Sequence, residues 1–321
     1  MIDQIISQIN TLNPLTFNII VVVISLAMVI KSSDLVVYSI SDYARKLGIS
    51  DYLIGFLVLS IGTSLTELVA AITGATANQG GIVFGAVLGS SLFKFPILGL
   101  LLLISFNIKM KESIVSTSPI STLFVIVFPL ILLLDGQISR SEGVLLIGTF
   151  FLYIVRLWRV EGELGKMKED VKFKTIWKDV LIFSIALGVL LFSARQLVFS
   201  SISISQLLNI SPYIVGLVII GIGASAPEFT VQFKSIRKHR QNIAFGNVLG
   251  SLVANSVFVL GVAAVVRPIF IQSSAILMTS LFLIVGVIYT LVLMGKKNVN
   301  WKHGLVLVLV YLVFILFELV F

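Results

Sequence analysis

Gly62-Thr-Ser-Leu-Thr-Glu67, with Gly85-Ala-Val-Leu-Gly-Ser90 behind it, decides the fold: both stretches return 161 residues later as Gly223-Ala-Ser-Ala-Pro-Glu228 and Gly246-Asn-Val-Leu-Gly-Ser251. Upstream, Leu47-Gly-Ile-Ser-Asp-Tyr-Leu-Ile-Gly55 falls on Leu208-Asn-Ile-Ser-Pro-Tyr-Ile-Val-Gly216 in the same register. One gapless offset through three segments marks a duplicated unit, because chance matches of small residues do not hold register over such a length.

Composition tells what kind of unit was duplicated. The 321 residues are 58% hydrophobic and only 12% charged, and the mean hydropathy is +1.10. A water-soluble globule is not built this way. Apolar runs of about 20 residues, broken by short charged or Gly/Asn-containing segments, predict transmembrane helices rather than the period-two strands of a barrel. The expected spans are 16–40, 52–74, 81–106, 114–134, 143–160, 177–201, 212–236, 242–266, 271–294 and 303–321, which makes ten helices in an all-α membrane protein. Five helices per copy is an odd number, so the second copy enters the membrane from the opposite side. The expected division is a first five-helix repeat at 1–160, a charged cytoplasmic linker at 161–176 read as a solvated connector, and a second repeat at 177–321. Inverted repeats that meet at the midplane are the architecture of secondary transporters.

Orientation follows from basic residues. Of 23 Lys and Arg, eighteen fall in the loops after odd-numbered helices or at the helix ends that flank them and two, Arg140 and Arg267, after even-numbered ones, while Lys31, Lys94 and Arg195 lie farther inside helices. Both termini are therefore expected outside. The same loop bias accounts for the net charge of +8 without a nucleic-acid partner. Met1 to Pro14 lacks a basic n-region, so it does not resemble a cleaved signal peptide. The compact loops favour a prokaryotic plasma membrane.

Among the 15 acidic residues, Asp34, Glu67 and Glu228 are the ones expected within the membrane. A carboxylate at a helix centre costs about 2.5–3.5 kcal/mol on insertion, so it faces a partner, a cavity or an ion path. A symmetric pair inside polar motifs points to function. Thr63 and Ser64 precede Glu67 by four and three residues, and Ser225 precedes Glu228 by three, so hydroxyls and carboxylates share a helix face. The next helix of each half adds Ser90 with Lys94 and Ser251 with Asn255, again 161 apart. An oxygen-rich set suits hard cations such as Ca2+ and Na+, whereas a chain without cysteine offers no thiolate site. The two histidines, His239 and His303, are expected solvated in basic loops. Lys31, Asp34 and Arg195 are expected in structural contacts.

These paired motifs resemble the two α-repeats of the cation/Ca2+ exchanger superfamily, above all its sodium/calcium branch, and the likeness spans the whole ten-helix layout. The resemblance implies that Glu67 and Glu228 bind Ca2+ directly as the metal ligands. It also implies that Thr63, Ser64, Ser90, Ser225 and Ser251 help hold exchanged Na+, with Asn255 at the central polar position of the second repeat. No cofactor is expected; the partners are inorganic cations and the lipid bilayer. Three positions depart from the family pattern. Thr66 stands where Pro is usual, so the first helix break is expected to be weaker, and Ala224 removes one hydroxyl. Lys94 stands where the family has Asn or Asp, and an ammonium has three donors and no lone pair with which to coordinate a metal.

The implied activity is a secondary active antiporter exchanging Ca2+ against Na+ or H+ by alternating access. The alternative is a proton-coupled or monovalent-cation exchanger in which Lys94 replaces a bound ion. A third possibility places Lys94 in a plain structural salt bridge. A cation channel is disfavoured because no symmetric filter is visible, and an enzyme because no nucleophile–base constellation exists.

Overall fold

The structure, a computed structural model, describes residues 13–46, 56, 59–105, 107–109, 119–161, 176–237, 241–271, 273–296 and 298–320. The repeat segment Leu47–Gly55, His239 and linker residues 162–175 lie outside the described residues.

Where they are described, the expected spans fall on helical structure except at Ser225, a turn inside 212–236, and at Ile271, which precedes its helix. The first half comprises α1 (Pro14–Lys46), α2 (Ser60–Thr76), α3 (Gly80–Ser105), α4 (Pro119–Leu132) and α5 (Arg140–Glu161). The second begins with α6 (Ile176–Leu208), followed by α7 (Pro212–Val215), α8 (Gly221–Ala224) and α9 (Ala226–Arg237). It ends with α10 (Gln241–Val253), α11 (Leu260–Val266), α12 (Ser273–Met294) and α13 (Trp301–Val320). Two π-helical turns, Gly216–Ile220 and Ala254–Val259, join α7 to α8 and α10 to α11. Among the described residues six helical stretches are long and apolar enough to cross a bilayer, and two shorter apolar ones, Pro119–Asp135 and Pro212–Ala224, accompany them. The chain is a multi-pass integral membrane protein.

Burial divides centre from rim. Along α3 the buried share of its most apolar window is 78%, and along Ile243–Val266 it is 83%, against 17–44% for the other four candidate spans. Outer helices turn large apolar side chains such as Ile120, Leu152 and Leu181 outward, as lipid contact requires. The outer helices α1 and α6 are 33 residues each and pack lengthwise on one another. At 1.5 Å per residue each is about 50 Å long, more than a bilayer core needs.

Two small sheets tie the halves together. β1 (Asn107–Lys109) pairs antiparallel with β4 (Asn298–Asn300), and β2 (Gln137–Ile138) pairs with β3 (Ile269–Phe270). Each sheet joins a strand of one half to a strand of the other. Close helix crossings repeat the pattern. A Cβ at Gly89 would fall 2.8 Å from the Leu217 Cα, and one at Gly250 would fall 2.8 Å from the Phe56 carbonyl carbon and 2.6 Å from the Ser60 Oγ. Leu217 and Phe56 are themselves 161 apart, so the same crossing is built twice. Glycine is needed at both because the helix backbones touch.

Candidate cation-binding site

The two central glutamates sit on differently built helices. α2 runs unbroken through Thr66 and Glu67. In the second half α8 stops at Ala224, Ser225 forms a turn, and α9 restarts with Glu228 in its first turn. Proline explains the difference: Pro227 has no N–H for the carbonyl four residues back, and Thr66 at the matching position has one. Glu228 thereby gains the positive end of a helix dipole, and Glu67 does not.

Both carboxylates are fully buried, as are Thr63, Ser90, Ser225, Ser251, Asn255 and Lys94, and Ser64 is 3% exposed. The Thr63 hydroxyl, on the face that carries Glu67, donates to Glu228 Oε1 at 3.4 Å, which brings the two glutamate-bearing helices together across the repeats. It also reaches the Ser60 carbonyl at 3.1 Å. The Lys94 Nζ lies 3.4 Å from Glu228 Oε2. Asn255 donates through Nδ2 to Ser90 Oγ at 2.9 Å, again across the repeats. The Ser225 hydroxyl donates to the Gly221 carbonyl at 2.8 Å and approaches the Ser90 carbonyl at 3.4 Å. Ser90 stands beside Glu67 and Ser251 beside Glu228, neither closing a hydrogen bond of ordinary length. The structure thus gathers the expected residues into one buried centre; Ser64 is buried there with its hydroxyl unpartnered by protein.

The constant offset of 161 residues pairs positions of the two halves and exposes what the departures do. The mate of the Thr63–Glu228 contact would run from position 224 to Glu67, but residue 224 is alanine. The mate of Asn255 is Lys94, and where Asn255 hydrogen-bonds Ser90, Lys94 reaches a carboxylate. Glu228 therefore accepts from Thr63 and forms an ion pair with Lys94 that closes no hydrogen bond at either Nζ or Oε2, whereas both Glu67 oxygens have neither, and the Ser64 hydroxyl and the Asn255 carbonyl oxygen are likewise without a hydrogen-bond partner in the protein. A buried acceptor left unmade costs about 1–3 kcal/mol, more when charged. Such a set of lone pairs fits a hard cation. The formal charge of the centre, two carboxylates and one ammonium, is −1.

Sequence reading missed two polar residues near the centre. Gln232 follows Glu228 by one helical turn, Asn247 precedes Ser251 by one, and both are fully buried with amide nitrogen and oxygen unpartnered by protein. Their repeat mates are Ala71 and Ala86, so comparing the halves for polar-for-alanine differences would have found them. One expectation is corrected. His303 lies in the first turn of α13 rather than in a loop, half-buried, with Nδ1 2.9 Å from the Tyr289 hydroxyl; α13 starts at Trp301, two residues before the expected span. Arg195 lies over the Phe199 ring at 5.4 Å. Among the described residues no three His, Cys, Asp or Glu side chains cluster as a metal site.

Comparison with known proteins points to one family and one fold. The family described as sodium/calcium exchanger protein matches residues 17–159 and 178–320. The inner membrane protein YrbG of Escherichia coli is 30% identical over 260 residues, covering 77% of this chain and 79% of its own length. The sodium/calcium exchanger MaX1 of Methanosarcina acetivorans is 26% identical over 347 aligned positions, covering 94% and 98%. Among solved structures, the sodium-calcium exchanger NCX_Mj soaked with 10 mM Na+ and zero Ca2+ superposes with a TM-score of 0.69 at 22% identity, covering 94% of this chain and 99% of that one.

Proposed function

The chain belongs to the sodium/calcium exchanger protein family, and from that premise we propose that it is a secondary active cation antiporter whose repeats each supply one carboxylate to a single exchange site. The observation that carries the reading is the contact of Thr63, on the Glu67 face, with Glu228 of the other repeat. One buried centre with a net negative charge, reached from two inverted halves, can be offered to either side of a membrane in turn but holds one cation load at a time. That is the physical content of exchange.

In this reading Glu67 and Glu228 are the charged ligands, Thr63, Ser64, Ser90, Ser225 and Ser251 are the flanking oxygen donors, and Asn255 orients Ser90. The family's exchange is Ca2+ against Na+ or H+. Ten helices arranged as two inverted five-helix repeats, with both termini outside, form the scaffold. Two facts support the duplication: the matched segments are offset by 161 residues at both ends, and α1 and α6 have equal lengths. Each small sheet pairs loops that the charge bias assigns to one side, β1–β4 to the basic side and β2–β3 to the other. The setting is a prokaryotic plasma membrane, in keeping with bacterial and archaeal relatives.

The test is cation flux in proteoliposomes under opposed Na+, K+, Ca2+ and proton gradients. Glu67→Gln and Glu228→Gln each remove charge while keeping shape, and each is expected to reduce flux to the level of empty liposomes. Wild-type flux in both would sink the assignment.

A second reading, a monovalent or proton-coupled exchanger, is favoured by one observation, the 3.4 Å approach of Lys94 to Glu228.

A further inference from the structure

Resting on the reading of Glu67 and Glu228 as one exchange site, we propose that Lys94 is a resident cation that fixes the substrate of this site as a monovalent cation rather than Ca2+. The side chain is fully buried, and its ammonium lies against Glu228 Oε2. It reaches across the repeat boundary to Glu228. Half of the carboxylate pair is thus already neutralised by a charge the chain carries itself.

What is left is a one-charge seat. Glu67 keeps both oxygens without a protein partner, and the unpartnered Ser64 hydroxyl and Asn255 carbonyl oxygen belong to the same buried centre. Ser90 stands beside Glu67 and is held there by Asn255. A monovalent cation at Glu67 brings the centre from −1 to zero. Ca2+ would bring it to +1 in a site whose two carboxylates, lysine and asparagine are fully shut off from solvent, and would sit close to an ammonium that offers it no lone pair. Ion and lysine cannot share the pair on good terms unless the ion carries a single charge.

Stability does not account for the lysine. A buried ion pair gives little over a well-packed apolar pair, because desolvation offsets the Coulomb attraction. The helix does not need it either, since the symmetry-related position 255 is an asparagine that hydrogen-bonds in place. The charge at 94 is therefore read as a determinant of which ion fits.

The experiment is calorimetric titration of the purified full chain with NaCl, KCl and CaCl2, against choline chloride as the ionic-strength control. Wild type, Lys94→Asn, Lys94→Gln and Lys94→Arg are compared. Wild type is expected to bind Na+ or K+ saturably and Ca2+ weakly. Either neutral variant is expected to gain Ca2+ affinity by at least about tenfold, equivalent to about 1.4 kcal/mol, and Lys94→Arg, which keeps the charge, is expected to gain none. The proposal is overturned if wild type binds Ca2+ more tightly than Na+ and K+, if the neutral variants leave Ca2+ affinity unchanged, or if Lys94→Arg gains it too. The wild-type titration alone decides should the neutral variants fail to fold. Glu67→Gln separates this proposal from the one beneath it: loss of all cation binding upholds the shared site whatever Lys94 does, and undiminished binding removes the site itself.

Discussion

Neutralising position 228 leaves the Lys94 ammonium buried without its carboxylate, whereas neutralising position 67 removes a negative charge that has no hydrogen-bond partner. The two glutamates are therefore unequal in stability although alike in sequence. Breaking a buried ion pair by removing one partner costs about 3–5 kcal/mol, so Glu228→Gln is expected to lower the thermal melting point well below that of Glu67→Gln. Adding Lys94→Gln to Glu228→Gln is expected to recover most of the loss. Equal melting points for the two single variants in detergent would show that Lys94 does not depend on Glu228. The positions of Glu67, Glu228 and Lys94 were legible from the constant offset, and so was the conflict a lysine creates there. Its partner was not. Helical spacing places Lys94 on the Ser90 face, but only packing between halves decides which of two nearby carboxylates it reaches.

At the scale of elements, the proline difference was readable as chemistry: Pro227 interrupts the second glutamate helix at Ser225 and Thr66 leaves the first continuous. The π turns at Gly216–Ile220 and Ala254–Val259 were not readable, because an extra residue per turn leaves no mark on an apolar run. The strands β1 to β4, of two or three residues, fall below any periodic signal. Glycine spacing announced close packing without naming the partner. The structure supplies it, and with it a prediction. Gly250→Val would drive a side chain into the Phe56 backbone and the Ser60 hydroxyl, with an overpacking cost of about 1–3 kcal/mol or more. Gly188 in α6 has nothing within 4 Å of an added Cβ, so Gly188→Ala is expected to melt with the wild type. A Gly250→Val protein that melts with Gly188→Ala would mean that the crossing is looser than described.

For the whole molecule, the proposed pair of five-helix repeats and the bias of basic residues together predict sidedness, and the chain's lack of cysteine makes it directly testable. Single cysteines at Asp135, beside β2, and at Asn298, in β4, are both exposed. A membrane-impermeant maleimide added to intact cells is expected to label Asp135→Cys, and to label Asn298→Cys only after the membrane is opened. Labelling of both from outside would contradict the inverted arrangement. If Lys94 is a fixed charge, exchange moves one monovalent cation each way, and an imposed membrane potential is expected to leave its rate unchanged; a rate that follows the potential would show unequal charges crossing. The central claim is that two repeats offer one cation site alternately to the two sides, and trans-stimulation in proteoliposomes tests it most directly. Uptake of 22Na+ or 45Ca2+ is measured with and without an exchangeable cation inside. Uptake is predicted to require the internal cation and to vanish in Glu67→Gln and in Glu228→Gln. Uptake into liposomes holding only choline at the wild-type rate, or its persistence in both variants, would contradict it.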